Sequence, residues 1–215
     1  MPITSIAPSP QYSSNEEIAN AVSHGLGAIL SLVGLIFLLS IPKNQEMLRA
    51  ISFSIYGISL ILMFLSSTFY HSVSQTQLKQ AFKMLDHCSI YLLIAGTYTP
   101  LMLITLNGVL GITVLVLIWT IALGGILFKL KFGHRFKKTS LVTYLFMGFL
   151  SLPLLSNISV SLPEDGVILL ALGGAIYSAG VFFYVKKTVP FTHAIWHLFV
   201  LGGATCHFMM MWFYV

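Results

Sequence analysis

Seven stretches of roughly 20 mostly apolar residues follow one another along the chain, and each is long enough to cross a bilayer as a helix. They lie at Ile18–Ile41, Arg49–Tyr70, Met84–Leu106, Val109–Phe128, Ser140–Ser156, Gly166–Val185 and His193–Val215. Runs of this length exceed soluble strands, and barrel strands would be about 10 residues of alternating polarity. The expected fold is an all-α integral membrane protein, a seven-transmembrane helix bundle. Residues 1–17 form an N-terminal segment and residues 18–215 the transmembrane domain. The fifth span is the least regular, because Pro153 lies near its end. Composition argues against other classes. Charged residues make up 8% and hydrophobic ones 57% of the chain, whereas a soluble domain is about 25% charged. A soluble enzyme, a disordered tail and a nucleic-acid binder are therefore disfavoured. The net charge of +5 forms no stripe or groove that nucleic acid would need.

The charges sit in the gaps between apolar runs and set the expected orientation. One side of the membrane carries nine Lys and Arg residues: Lys79, Lys83, Lys129, Lys131, Arg135, Lys137, Lys138, Lys186 and Lys187. The other side carries Lys43 and Arg49. The positive-inside rule then places the N-terminus in the cytoplasm and the C-terminus outside, the reverse of the common seven-helix receptors. The first 17 residues hold no Lys or Arg and no apolar core. No cleavable signal peptide is expected, and the first span directs insertion into the cell membrane. Cys88 and Cys206 both fall inside apolar runs and read as buried thiols. Asn157-Ile158-Ser159 matches a glycosylation acceptor by chance composition. The pairs Gly124-Gly125, Gly173-Gly174 and Gly202-Gly203 read as close helix contacts.

In so apolar a chain the remaining polar residues carry the information, since ionisable groups in spans are costly and face the interior or a wet cavity. His193 and His197 are four residues apart, one turn up the same helix face. Such a pair can bind one metal, or can be two interfacial side chains at a helix start. Ser67 and His71 share a face at the end of the second span. Asp86 opens the third span and is the only acid inside the seven runs. It can serve a site or pair with Lys83 or His87. Glu17, Asn20 and His24 occupy successive turns at the start of the first span. With the expected topology all four clusters fall at one depth on the cytoplasmic side. Three histidines and an open position make the ligand set of a catalytic zinc, and a nearby carboxylate can orient or deprotonate water. His134 reads as a solvated loop residue. His87 points about 100° away from Asp86 on an ideal helix, so the two are not expected to meet at one point. His207, roughly 15 Å beyond His197 along the helix, is expected to make a buried interhelical hydrogen bond.

These motifs resemble the haemolysin III family, bacterial relatives of the progestin and adipoQ receptors. The resemblance is carried by Glu17-x-x-Asn20-x-x-Ser23-His24, by Ser67-x-x-x-His71 with Asp86, by His193-x-x-x-His197, and by the run from Asp86 to Pro100. It covers nearly the whole chain. It implies a zinc held by His71, His193 and His197, with Asp86 near the zinc-bound water and Ser67 supporting the site. The wider superfamily includes alkaline ceramidases, so the implied chemistry is lipid amide hydrolysis. Three function classes follow. The first is a zinc-dependent hydrolase of a lipid-like amide or ester, with Asp86 as general base and an acylated membrane lipid as partner. The second is a non-enzymatic sensor in which zinc is structural. The third is a pore or transporter, ranked last because ionisable groups lie at one membrane edge rather than at the midplane.

Overall fold

The structure, a computed structural model, describes residues 12–40, 46–133, 135–186 and 189–215. His134, Lys43 and Lys187 lie outside these residues. Among the described residues eight α-helices follow in order: α1 Ser14–Ser40, α2 Glu46–Ser72, α3 Thr76–Pro100, α4 Gly108–Phe132, α5 Lys137–Phe149, α6 Leu155–Ser161, α7 Glu164–Val185 and α8 Thr192–Tyr214. Among the described residues seven segments are long and apolar enough to span a membrane, with α5 and α6 together making the fifth. The helices overrun the apolar runs at several ends. α1 begins at Ser14, so Glu17 lies in its first turn. α4 continues to Phe132, which moves Lys129 from the expected loop into a helix, where its side chain is 1% exposed and donates to Ser140 Oγ at 3.3 Å.

Local sequence explains the irregular places. Ser13 and Glu16 form a reciprocal cap at the start of α1. The Glu16 amide donates to Ser13 Oγ at 3.3 Å and the Ser13 amide donates to Glu16 Oε2 at 2.9 Å. Pro100 removes a backbone donor near the end of α3, and the chain goes on as a π-turn over Leu101–Leu106. The fifth span is not one continuous helix. α5 stops at Phe149, a 3-10 turn covers Leu152–Leu154 and α6 restarts at Leu155. Pro153 sits in that turn because its ring and missing N–H break the i→i−4 ladder.

Lipid tails are as apolar as leucine, so these helices are held by close packing rather than by exclusion of water. The hairpins α1–α2, α2–α3 and α7–α8 pack most extensively, and α1 against α8 brings the first and last spans together. Glycines set the closest approaches. Gly96 of α3 faces Ser59 of α2, where a Cβ would collide with the serine hydroxyl. Phe53, Tyr56, Phe64, Tyr91, Met102 and Met210 fill the interior, while Ile18, Val22, Leu26, Ile29 and Val116 point outward. At the end away from the basic loops, the Arg49 guanidinium donates to the Val215 carbonyl and ties α2 to the C-terminus. At the other end the starts of α1, α3 and α8 and the finish of α2 lie together, and the histidine clusters sit there.

Candidate metal centre

The metal-binding potential arises from two helix faces and one unusual backbone residue. His71 leaves the last turn of α2, while His193 and His197 leave the first turns of α8. Phe191, just before α8, has φ 61°, a left-handed conformation that costs a non-glycine residue about 1–2 kcal/mol. Its amide donates to Glu16 Oε1 at 2.9 Å, which ties the start of α8 to the start of α1. One ligand atom from each of His71, His193 and His197 lies within 4.8 Å of the others, so the three could hold a metal ion.

The first helix orients this set. His71 Nδ1 lies 2.6 Å from Glu17 Oε2, and Glu17 Oε1 is paired with Lys79 Nζ at 2.9 Å. A carboxylate only accepts, so His71 Nδ1 carries the proton and Nε2 keeps its lone pair. That Nε2 is buried without a hydrogen-bond partner. His197 Nδ1 lies 3.2 Å from the Asn20 carbonyl and 3.1 Å from Ser23 Oγ. The carbonyl again fixes the proton on Nδ1 and frees Nε2. Holding the distal ring N–H on a carboxylate or carbonyl is the usual way of orienting a metal-binding histidine. Asn20 also approaches His71, its Nδ2 lying 3.4 Å from Nδ1.

The expected supporting residues therefore divide by the kind of contact. Glu17, Asn20 and Ser23 reach the histidines by hydrogen bonds. His24 reaches them by stacking, its ring 3.5 Å from that of His197 and nearly parallel, with Phe64 edge-on behind it. Ser67 is fully buried one turn before His71, and among the described residues its hydroxyl has no hydrogen-bond partner. Asp86 lines the same cavity as His24, His193 and His197. Of the pairings open to Asp86, the one with His87 is present, Nδ1 to Oδ2 at 3.1 Å, while His87 Nδ1 also lies 2.8 Å from the Lys83 carbonyl. The flexible Asp86 side chain bridges the angle that separates the two Cα–Cβ directions.

Two aromatic residues escaped the sequence reading. Tyr12 stacks on His193 with centroids 5.0 Å apart and rings 19° from parallel, and closes over His71 at 5.7 Å. Burial, helped by Tyr184, Glu17 and Asp86, pushes its phenol well above the ordinary range and keeps it a neutral donor. Tyr70 carries Lys79 and Lys83 over its ring at 5.2 and 5.7 Å. Neither falls on a polar spacing that would mark it in a sequence.

From this centre a cavity of about 430 Å³ runs into the bundle. It passes Leu93, Ile94 and Val200 and reaches Leu101 just after α3 and His207 on α8. Its walls are mostly apolar, with Asp86, His193 and His197 at one end and Tyr177 and His207 at the other. The arrangement sets His193, His197 and Asp86 on the wall of a long apolar chamber, with His71 beside the two histidines.

Comparison with known proteins places this architecture. The family model described as "Haemolysin-III related" matches residues 12–208. The chain is 48% identical over 201 residues to "Hemolysin-3" of Bacillus cereus, covering 93% of this chain and 92% of that one. It is 46% identical over 204 residues to the "Hemolysin-3 homolog" of Bacillus subtilis (strain 168), covering 94% and 96%. It is also 32% identical over 206 residues to the human "Monocyte to macrophage differentiation factor", covering 93% and 84%. The chain is a multi-pass membrane protein of the haemolysin III family, within the progestin and adipoQ receptor superfamily.

Proposed function

We propose that this protein is a zinc-dependent membrane hydrolase acting on a lipid-like amide or ester. One observation carries the reading: three imidazoles converge, and two of them, His193 and His197, line a long apolar cavity together with Asp86. The donor set fits zinc, which takes neutral imidazole nitrogens in four-coordinate sites. The buried, partnerless Nε2 of His71 fits as well, because a polar atom in an apolar interior is costly unless it is satisfied. His71, His193 and His197 would hold the ion, which supplies Lewis acidity and makes water nucleophilic near neutral pH.

The chain's own groups would do the rest. The acyl chain lies along Leu93, Ile94, Leu101 and Val200, leaving the amide or ester at the histidine end. Asp86, steadied by His87, takes a proton from water and returns it to the leaving group. Ser67, whose hydroxyl has no other partner, donates to the carbonyl oxygen as negative charge builds there. Glu17 and Asn20 hold the imidazoles in the tautomer that presents Nε2. A structural zinc is closed by four protein ligands. The described residues supply a cluster of three, which favours an open position and the hydrolase over a sensor. The test is untargeted lipid mass spectrometry of membranes incubated with purified wild type and with Asp86→Ala. A released fatty acid and its complementary fragment, absent with Asp86→Ala, are expected. No lipid change with zinc-loaded wild type contradicts the proposal.

A further inference from the structure

The far end of the cavity is polar where an acyl tail alone would need only apolar walls. His207 of α8 and Tyr177 of α7 both line it, and their ring centroids lie 5.5 Å apart. His207 is 9% exposed, within a bundle whose walls there are hydrocarbon. Its Nε2 lies 3.3 Å from the Leu170 carbonyl. A carbonyl only accepts, so Nε2 carries the proton and Nδ1 is left as an acceptor. Among the described residues no hydrogen bond engages that Nδ1, and none engages the Tyr177 hydroxyl.

The two rings are seated deliberately. His207 lies over Gly173 of α7, where a Cβ would collide with the imidazole. Tyr177 lies over Gly203 of α8, where a Cβ would come within 2.8 Å of the phenol ring. Each helix thus gives up a side chain to admit the other's polar ring. Both residues line the cavity, so a molecule that reaches this end meets an imidazole and a phenol side by side.

We infer that this end of the cavity recognises a hydroxyl on the acyl chain, so that the lipid bound is a hydroxylated one. The inference rests on the acyl-lipid reading above. The chemistry selects the group. His207 Nδ1 accepts and the Tyr177 hydroxyl donates, and a hydroxyl can satisfy both at once, whereas a carbonyl can only accept. The spacing selects the position. His207 lies ten residues beyond His197 on one helix, roughly 15 Å along its axis, so the hydroxyl sits mid-chain rather than beside the headgroup.

The test is competition of a fluorescent fatty acid from the zinc-loaded full chain in nanodiscs. The competitors are stearate, 3-hydroxystearate, 12-hydroxystearate and 12-oxostearate. The expected result is 12-hydroxystearate binding about 5- to 10-fold more tightly than stearate, the scale of one or two hydrogen bonds. The ketone should fall between them and 3-hydroxystearate should show no gain. Tyr177→Phe, which removes one oxygen and keeps the ring, should bring 12-hydroxystearate to within about 2-fold of stearate. Stearate binding without any mid-chain preference overturns the inference and leaves the acyl-lipid reading standing. A preference that survives Tyr177→Phe and His207→Phe overturns the assignment to these residues. Failure of every chain to bind overturns both.

Discussion

The cavity has a histidine pole at each end, and the two are built on different logic. At one end, His71, His193 and His197 bring ligand atoms within 4.8 Å of one another, and two of them have Nδ1 held by α1. At the far end a single histidine spends one nitrogen on a backbone carbonyl and lines the cavity beside Tyr177. Convergence suits a metal ion, whereas a lone imidazole beside a phenol suits hydrogen bonding. Histidine in a membrane span thus has no fixed meaning. Its neighbours and the direction of its nitrogens decide what it does.

Removing ligands should break that contrast most sharply. Wild type should hold about one zinc per chain, and His71→Ala, His193→Ala, His197→Ala together should abolish it, as read by elemental analysis. His207→Phe should leave zinc content unchanged. Loss of zinc in both, or in neither, would erase the distinction between the poles. The outer support comes next. Glu17→Gln keeps the shape but weakens the acceptor for His71 Nδ1, and should lower zinc affinity about 10–100-fold in a chelator titration. An unchanged affinity would mean that the 2.6 Å contact plays no part in holding the imidazole.

The far pole is sharpened by a packing test. Gly173→Ala forces a methyl into the His207 ring, and overpacking of this kind costs about 1–3 kcal/mol. The melting temperature should fall by roughly 2–10 °C while zinc affinity at the mouth holds. The smallest effect is on topology, where reporter fusions should leave the bundle intact. A reporter after Val215 should read as external and one between α4 and α5 as cytoplasmic. The opposite result would put the metal centre on the outer face.

How much of this the sequence discloses follows from periodicity. Ser67 and His71, His193 and His197, and Glu17, Asn20 and His24 repeat at three or four residues, so helix geometry alone puts each set on one face. Counting spans then puts those faces at one end of the bundle. Contacts without a period stayed hidden. Tyr12 precedes α1 and reaches His193 only through the tertiary fold. Lys129 counted as a loop charge because hydropathy ends an apolar run at the first lysine, although the helix and its burial continue beyond it. Pro153 marked the fifth span as irregular, but only the backbone shows a 3-10 turn separating α5 from α6. His207 was expected to make an interhelical hydrogen bond and does so with Leu170; the cavity on its other side has no signature in one chain's spacing.

The central claim is that the mouth of the cavity performs proton-transfer chemistry rather than merely clamping α2 to α8. Asp86→Asn tests it most directly. The amide matches the carboxylate in shape but takes no proton at neutral pH, and general acid–base catalysis is worth about 10²–10⁴-fold. Fatty-acid release from the lipid identified with wild type should fall by that order, while zinc content and melting temperature measured on the same sample stay near wild type. Turnover equal to wild type, or zinc and stability lost together with turnover, would contradict the account: the first removes Asp86 from the chemistry, and the second makes it a ligand of a closed structural site.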